Sequence, residues 1–210
     1  MKVAIFSEAD RDELAVRILI EGILGKATLP VSFPQRPNGW NAVKRELPGI
    51  IKHLHYREVD AVALVVVADA DNAPLHKVEH EQPSQTDARC RFCTLQQIAR
   101  ATMAALKPIP ERPLLKIAIG IAVPTIEAWL LCGIDQRGAE AAWHQNELAR
   151  VGSSYRNVLK KAIYGSEIAP QSTKNQITHE AATRLAQDIS LLETHFPIGF
   201  GLLANAIRNW

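Results

Sequence analysis

Carboxylate side chains follow three separate apolar runs of the chain. Glu8 comes shortly after KVAIF, Asp69 and Asp71 lie in VVVADADN, and Glu127 lies in IAVPTIEAWLL. An alternating D-x-D at the end of a strand places both carboxylates on one side, because side chains repeat every two residues. Crowded carboxylates are costly to bury unless positive charge compensates them. Hard oxygen ligands suit Mg²⁺ and Mn²⁺, so the pattern predicts a divalent-metal centre.

The apolar runs predict the strands that position these carboxylates. Strands are predicted over 2–6, 60–68 and 114–123, with a strand or extended linker over 27–33. The run at 60–68 is continuously apolar, which is typical of a strand buried on both faces of a parallel sheet. Helices are predicted between and after them, over 10–25, 40–55, 94–106 and 125–131, with a break in the second at Pro48 and Gly49. This alternation predicts an α/β fold of Rossmann-like type, with a mostly parallel central sheet flanked by helices.

The remainder of the chain is predicted to be helical. Helices are expected over 137–149, 156–163, 176–192 and 198–208. We therefore expect an α/β core over 1–134 and a helical C-terminal extension over 135–210 that packs on it. Ligands of open α/β sheets bind beyond the carboxyl ends of the strands, which is where the acidic residues lie.

Some acidic residues also have a simple structural explanation. Asp10 and Glu13 resemble a capping box at the start of the first predicted helix, where acids stabilise the helix dipole. Asp12 fits either that role or the metal centre. Glu127 could likewise begin the helix that follows Pro124.

The three acidic motifs together resemble the TOPRIM domain of topoisomerases, primases and nucleases of the overcoming-lysogenization-defect type. Glu8 matches the glutamate that follows the first strand of that family, and Asp69 and Asp71 match its D-x-D. The likeness is greatest to a small TOPRIM-like branch with a Glu-Gly-x-x-Asp start and a Glu-Ala-Trp-Leu-Leu run. Here these read Glu8-Ala9-Asp10-Arg11-Asp12 and Glu127-Ala128-Trp129-Leu130-Leu131.

The resemblance implies a TOPRIM fold and metal-dependent phosphodiester cleavage of nucleic acid, either DNA or RNA. The catalytic residues that the resemblance implies are Glu8, Asp69, Asp71 and Glu127. These residues would also hold Mg²⁺ or Mn²⁺, with Asp12 as a further metal ligand. Ala9 departs from the glycine of the family, so a differently shaped turn is expected there. Lys160 and Lys161 are candidates for a catalytic lysine. Such nucleases often act beside an ATPase in phage defence, and no phosphate-binding G-x-x-x-x-G-K-[ST] loop is present here, so an ATPase would be a separate protein.

A polar insertion over 72–93 carries a second set of metal-binding side chains. His76 and His80 are followed by Cys90 and Cys93 in a C-x-x-C. Imidazole and thiolate groups suit tetrahedral Zn²⁺, and Pro74 could open a helical turn that places both histidines on one face. The sequence leaves two other interpretations open, namely a flexible loop with free thiols and a redox pair.

Composition and charge limit the function classes. The chain has 210 residues, of which 47% are apolar and 22% charged, and its net charge of +2 neither identifies nor excludes a nucleic-acid binder. Neither a membrane span nor a signal peptide is expected from its apolar patterning, and its three cysteines suggest a reducing cytoplasm. A non-catalytic metal-binding or sensing subunit, a D-x-D nucleotide-sugar transferase and an aspartyl phosphatase remain alternatives, and self-association as a homo-oligomer remains open.

Overall fold

The computed structural model describes residues 1–31, 39–58, 60–82, 85–148, 152–166 and 168–210. Only the backbone is described for 145–148 and 152–154. The predicted strand or linker over 27–33 and the predicted helix over 137–149 therefore each end outside the described residues. Among the described residues no helix combines the length and apolarity that crossing a membrane requires.

A four-stranded sheet forms the centre of the molecule, and every pair of neighbouring strands is parallel. Its strands are β1 (Lys2–Ser7), β2 (Leu29–Pro30), β3 (Ala61–Asp69) and β4 (Lys116–Ala122), in the order β2-β1-β3-β4. The α/β prediction with a parallel sheet is confirmed. Ser7 lies beside Val67, and Asp69 lies beside Ala122. In this register the carboxyl ends of β1, β3 and β4 lie close together at one edge of the sheet.

The described helices flank this sheet and fill the C-terminal part of the chain. They are α1 (Asp10–Leu24), α2 (Trp40–Tyr56), α3 (Arg91–Ala104), α4 (Ile126–Leu130), α5 (Glu140–Leu148), α6 (Gly152–Tyr164), α7 (Gln171–Ala186), α8 (Ile189–His195) and α9 (Gly201–Arg208). In the same described ranges, two short 3-10 helices cover Val78–Glu81 and Gln136–Gly138.

Several of the predicted helices need correction. Helix α6 begins at Gly152 and not at 156, and α7 begins at Gln171 and not at 176. The helix predicted over 94–106 begins at Arg91, so Cys93 lies in its first turn. The helix predicted over 176–192 is two helices, because the Asp188 side chain accepts a hydrogen bond from the Leu191 N–H and starts α8. The break expected at Pro48 and Gly49 does not occur. Buried Val43, Leu47, Ile51 and Leu54 form one apolar stripe along α2 that holds it through the proline.

The C-terminal helices pack directly against the sheet and its first helix. Helix α7 packs on α1, where the Gly22 backbone approaches Ala186, and α9 packs on β4, where Gly120 lies against Leu203. The buried Glu140 carboxylate accepts hydrogen bonds from the backbone N–H groups of Ile198 and Gly199 just before α9. Helix α4 begins shortly after β4, at the carboxyl edge of the sheet where the acidic residues lie, and α6 packs against α4.

Candidate functional site

Carboxylates from three strand ends meet at the carboxyl edge of the sheet. Glu8 follows β1, and its Oε1 accepts a hydrogen bond from the Asp69 N–H at 3.1 Å. Asp69 Oδ1 accepts one from the Ile126 N–H at 2.9 Å, where α4 begins. Glu127 is the next residue and is buried. The structure therefore brings together the acidic residues that follow β1, β3 and β4.

Asp71 occupies a tight turn just beyond β3. Its backbone φ of +50° lies in the left-handed region, which aspartate tolerates better than most residues. Its N–H donates to the Pro124 carbonyl at 2.9 Å, so the turn is held against the chain that leaves β4. This turn keeps the second carboxylate of the D-x-D beside the first.

Burial and mutual repulsion raise the pKa values of three of these acids. Burial raises the pKa of Asp69 well above its ordinary value, and the negative charges of Asp12, Glu127, Glu8 and Asp71 raise it further. The pKa of Asp12 rises to about 7, again mainly through burial. Burial also raises the pKa of Glu8. Such a cluster binds either protons or another cation.

Asp12 belongs to this cluster, whereas its neighbours Asp10 and Glu13 belong to the helix start. Asp12 is buried in the first turn of α1, and its Oδ1 makes no hydrogen bond within the described part of the chain. Asp10 is exposed, and Glu13 pairs with Arg17 one turn later, at 3.3 Å. The capping-box prediction is wrong in detail, because Ala9 is the N-cap and provides no side-chain hydrogen bond.

Three arginines that the sequence analysis did not identify surround the acidic cluster. Arg11 Nη2 lies 3.2 Å from Glu127 Oε1, and Arg91 Nη2 lies 2.7 Å from Asp71 Oδ2. Arg156, on α6, pairs with the other oxygen of Asp71. Of the three, only Arg11 lies within one of the acidic sequence motifs. Arg91 and Arg156 lie elsewhere in the sequence, and the fold brings them beside the acidic residues.

Aromatic rings and a lysine complete this environment. The guanidinium of Arg91 lies 4.8 Å from the Trp40 ring centre, and that of Arg11 lies 5.2 Å from the Tyr164 ring centre. Of the two candidate lysines, Lys160 is half-buried and its charge lowers the pKa of Asp12, whereas Lys161 is exposed. Lys160 is therefore the better placed of the two.

The four His and Cys side chains of the insertion form a second cluster. Their ligand atoms all lie within 4.8 Å of one another. Cys93 Sγ lies 3.3 Å from His76 Nδ1 and 3.5 Å from His80 Nδ1, and Cys90 Sγ lies 3.8 Å from His76 Nδ1. Ligand atoms of a tetrahedral zinc ion lie about 3.3–3.8 Å apart when their bonds to it are 2.0–2.3 Å. The cluster could therefore hold one metal ion with little rearrangement.

The chemistry of these four side chains also suits a metal. All three cysteines of the chain are free thiols. Burial and the nearby His80 lower the pKa of His76, which favours the neutral imidazole that metals bind. Burial raises the pKa of Cys90 to about 12 in the metal-free protein, so a bound cation is needed to form its thiolate.

The helical turn predicted after Pro74 does not carry both histidines. His80 lies in the 3-10 helix Val78–Glu81, whereas His76 lies in irregular chain before it. They meet instead across the first turn of α3, which contributes Cys93. Among the described residues, this is the one group of three or more histidine, cysteine or acidic side chains close enough to hold a single ion. The carboxylates at the sheet edge do not form such a group among the described residues, and Arg91 lies between Glu8 and Asp71, at 3.5 Å and 2.7 Å.

Searches of protein-family models, curated proteins and solved structures found no match to this chain.

The raised pKa values predict that the magnesium-free protein loses stability as the pH rises. The pKa of Asp12 is about 7 in the folded state against an ordinary 3.8, so the native state binds more protons between these values. Stability is then greatest at the acidic end of this window and falls as the pH rises through the folded pKa. Asp69 and Glu8 contribute with the same sign.

The melting temperature in magnesium-free buffer is expected to fall between about pH 5 and about pH 8. Asp12→Asn should flatten the profile, because it removes the carboxylate whose pKa is raised to about 7. If the melting temperature instead rises over this range in both the wild-type protein and Asp12→Asn, the folded state does not bind more protons than the unfolded state, and the prediction is wrong.

Proposed function

We propose that this protein is a TOPRIM-type enzyme that cleaves phosphodiester bonds of nucleic acid with Mg²⁺ or Mn²⁺. One observation carries the proposal. Acidic residues from the ends of β1, β3 and β4 share one partly buried site, where burial and then their mutual repulsion raise the pKa of Asp69. Repelling carboxylates that a fold holds together need a compensating cation, and oxygen ligands of this kind suit these two ions.

In this proposal the acidic residues of the sheet edge hold the metal. They are Glu8, Asp69, Asp71 and Glu127, with Asp12 as a further ligand. Divalent ions bound here would activate water for attack on phosphorus and stabilise the departing oxygen. Asp69 is held by the Ile126 N–H through one oxygen, which leaves its other oxygen for a ligand.

The arginines around the site supply positive charge for a phosphate. Arg91 and Arg156 both pair with Asp71, and binding of a metal to that carboxylate would release their donors. Guanidinium groups bind phosphate oxygens in a fixed fork geometry, which suits a phosphodiester backbone. Lys160, on the same helix as Arg156, adds a further cation near Asp12. We therefore place the scissile phosphate between the carboxylates and α6.

The test is cleavage of labelled single-stranded and duplex DNA and RNA by the purified protein with Mg²⁺ or Mn²⁺. Manganese binding is measured in parallel by electron paramagnetic resonance. Metal-dependent cleavage of any of the four substrates supports the proposal and names the substrate. Manganese binding without cleavage contradicts it for the chain acting alone.

The second candidate is a non-catalytic metal-binding or sensing subunit of the same fold. It is favoured by the ion pairs of Arg11, Arg91 and Arg156, which already neutralise much of the acidic charge. The resemblance also suggests a separately encoded ATPase partner in phage defence. Repeating the assay with ATP and such an ATPase separates a silent nuclease from a binding subunit.

For the His–Cys cluster we propose one structural Zn²⁺ per chain. Three of the distances between its ligand atoms match the edges of a zinc-centred tetrahedron, all four atoms lie within 4.8 Å of one another, and two thiols with two imidazoles are a preferred zinc ligand set. Reduced thiols are needed for this site, which agrees with the cytoplasmic location that we also propose.

A further inference from the structure

We propose that the metal ion of the His–Cys cluster fixes the position of Arg91 and thereby the turn of the D-x-D at the sheet edge. This inference rests on metal binding by that cluster, which is part of the proposed function, but it does not require nuclease activity. It makes the cluster a positioning device for the acidic site as well as a structural site.

The two sites are joined by two adjacent residues. Cys90 is the N-cap of α3 and contributes a thiol to the cluster, and Arg91 is the first residue of that helix. Cys93, one turn later, contributes the second thiol. A metal bound by both cysteines would therefore fix the first turn of α3 and the backbone from which the Arg91 side chain extends.

Arg91 reaches from this helix end into the acidic site. One of its nitrogens donates to the Asp69 carbonyl and lies 3.5 Å from Glu8 Oε1, and the other donates to Asp71 Oδ2. The ring of Trp40 packs on its guanidinium. Arg91 thus contacts both residues of the D-x-D and the glutamate that follows β1.

Within the described residues, the segment that carries the two histidines is held by local backbone hydrogen bonds and by the packing of Leu75 on the core. The backbone hydrogen bonds described there are local, such as those from His80 to Lys77 and from Cys90 to Asp87. The ring of His76 packs on Phe92 at 4.5 Å, which again joins this segment to the first turn of α3. A metal would connect the segment and the helix through four strong bonds, so its loss should loosen both.

Residue-resolved hydrogen exchange tests this coupling without any substrate. The amides of Ala70 and Asp71 donate to the carbonyls of Ala122 and Pro124, and they report on the turn that Arg91 holds. The protein is compared with zinc, after removal of zinc by a chelator, and as the variants Arg91→Ala and His80→Ala. Zinc removal and each variant are expected to speed exchange of these two amides by about tenfold.

The decisive comparison is zinc removal in the Arg91→Ala background. If the metal acts through Arg91, removing it there should change exchange of Ala70 and Asp71 by less than about twofold, because the coupling is already lost. Arg91→Lys should restore part of the protection. His53→Ala serves as the control, since His53 lies on α2 near Glu58 and outside both sites. Circular dichroism checks that each variant remains folded.

Two outcomes would overturn the inference. Faster exchange confined to residues 74–94, with Ala70 and Asp71 unaffected, would show that the metal has only a local role. A protein that binds no zinc would remove both the zinc site and the coupling. Neither outcome bears on the nuclease proposal, and a failure of cleavage would leave the exchange experiment fully informative.

Discussion

Asp69→Asn is expected to reduce metal-dependent cleavage by about 10³-fold or more, equivalent to about 4 kcal/mol of activation free energy. Asp69 lies within the acidic cluster, and burial, followed by the charges of four other carboxylates, raises its pKa. Asparagine keeps the oxygen that accepts from the Ile126 N–H but loses the charge that would hold the metal. The loss should therefore come from metal binding at the site, with the turn left intact.

The same substitution is expected to stabilise the metal-free protein at about pH 8. Burial and repulsion make the ionised Asp69 unfavourable in the fold, and a neutral amide removes that cost. A higher melting temperature together with lost cleavage is the pattern of a functional carboxylate. Asp87→Asn is the matched control, because Asp87 pairs with Arg89 away from the sheet edge, and it should retain cleavage. Full cleavage by Asp69→Asn would refute the assignment.

The sheet and the convergence of acids were predictable because both depend on local patterns. A continuous apolar run indicates a strand buried on both faces, and the parallel order then brings the residues after each strand to one edge. Glu8, Asp69 and Glu127 lie next to such runs, so their sequence neighbours were sufficient to place them. The break at Asp188 in the helix predicted over 176–192 could not be predicted, because the periodic apolar pattern continues through it.

The arginines were not predictable, because no local pattern marks them. Arg156 lies 85 positions from Asp71, and only the packing of α6 beside α4 brings them together. Arg91 follows Cys90, so its sequence neighbours associate it with the insertion and not with the acidic motifs. The position of Asp12 was open for a related reason. A first-turn acid can cap a helix or point into a site, and burial by the rest of the fold decides between them.

Cys93→Ser is expected to reduce bound zinc from one equivalent per chain to below about 0.1 and to lower the free energy of unfolding by several kcal/mol. Cys93 is the central ligand of the cluster, since its Sγ lies within 3.5 Å of both imidazoles. Serine is similar in size but is a poor zinc ligand. Metal analysis of protein purified without chelators, together with denaturant unfolding, measures both effects.

Cys132→Ser provides the matched control for this experiment. Cys132 is also a buried free thiol, but its Sγ donates to the Leu191 carbonyl at 3.7 Å and lies outside the cluster. Serine there should lower stability through burial of a hydroxyl group while leaving the zinc content at one equivalent. Loss of zinc in Cys93→Ser alone therefore separates metal binding from the general cost of a polar atom in the core. Equal zinc in both variants, or none in the wild-type protein, would mean that the four side chains are held together by packing alone.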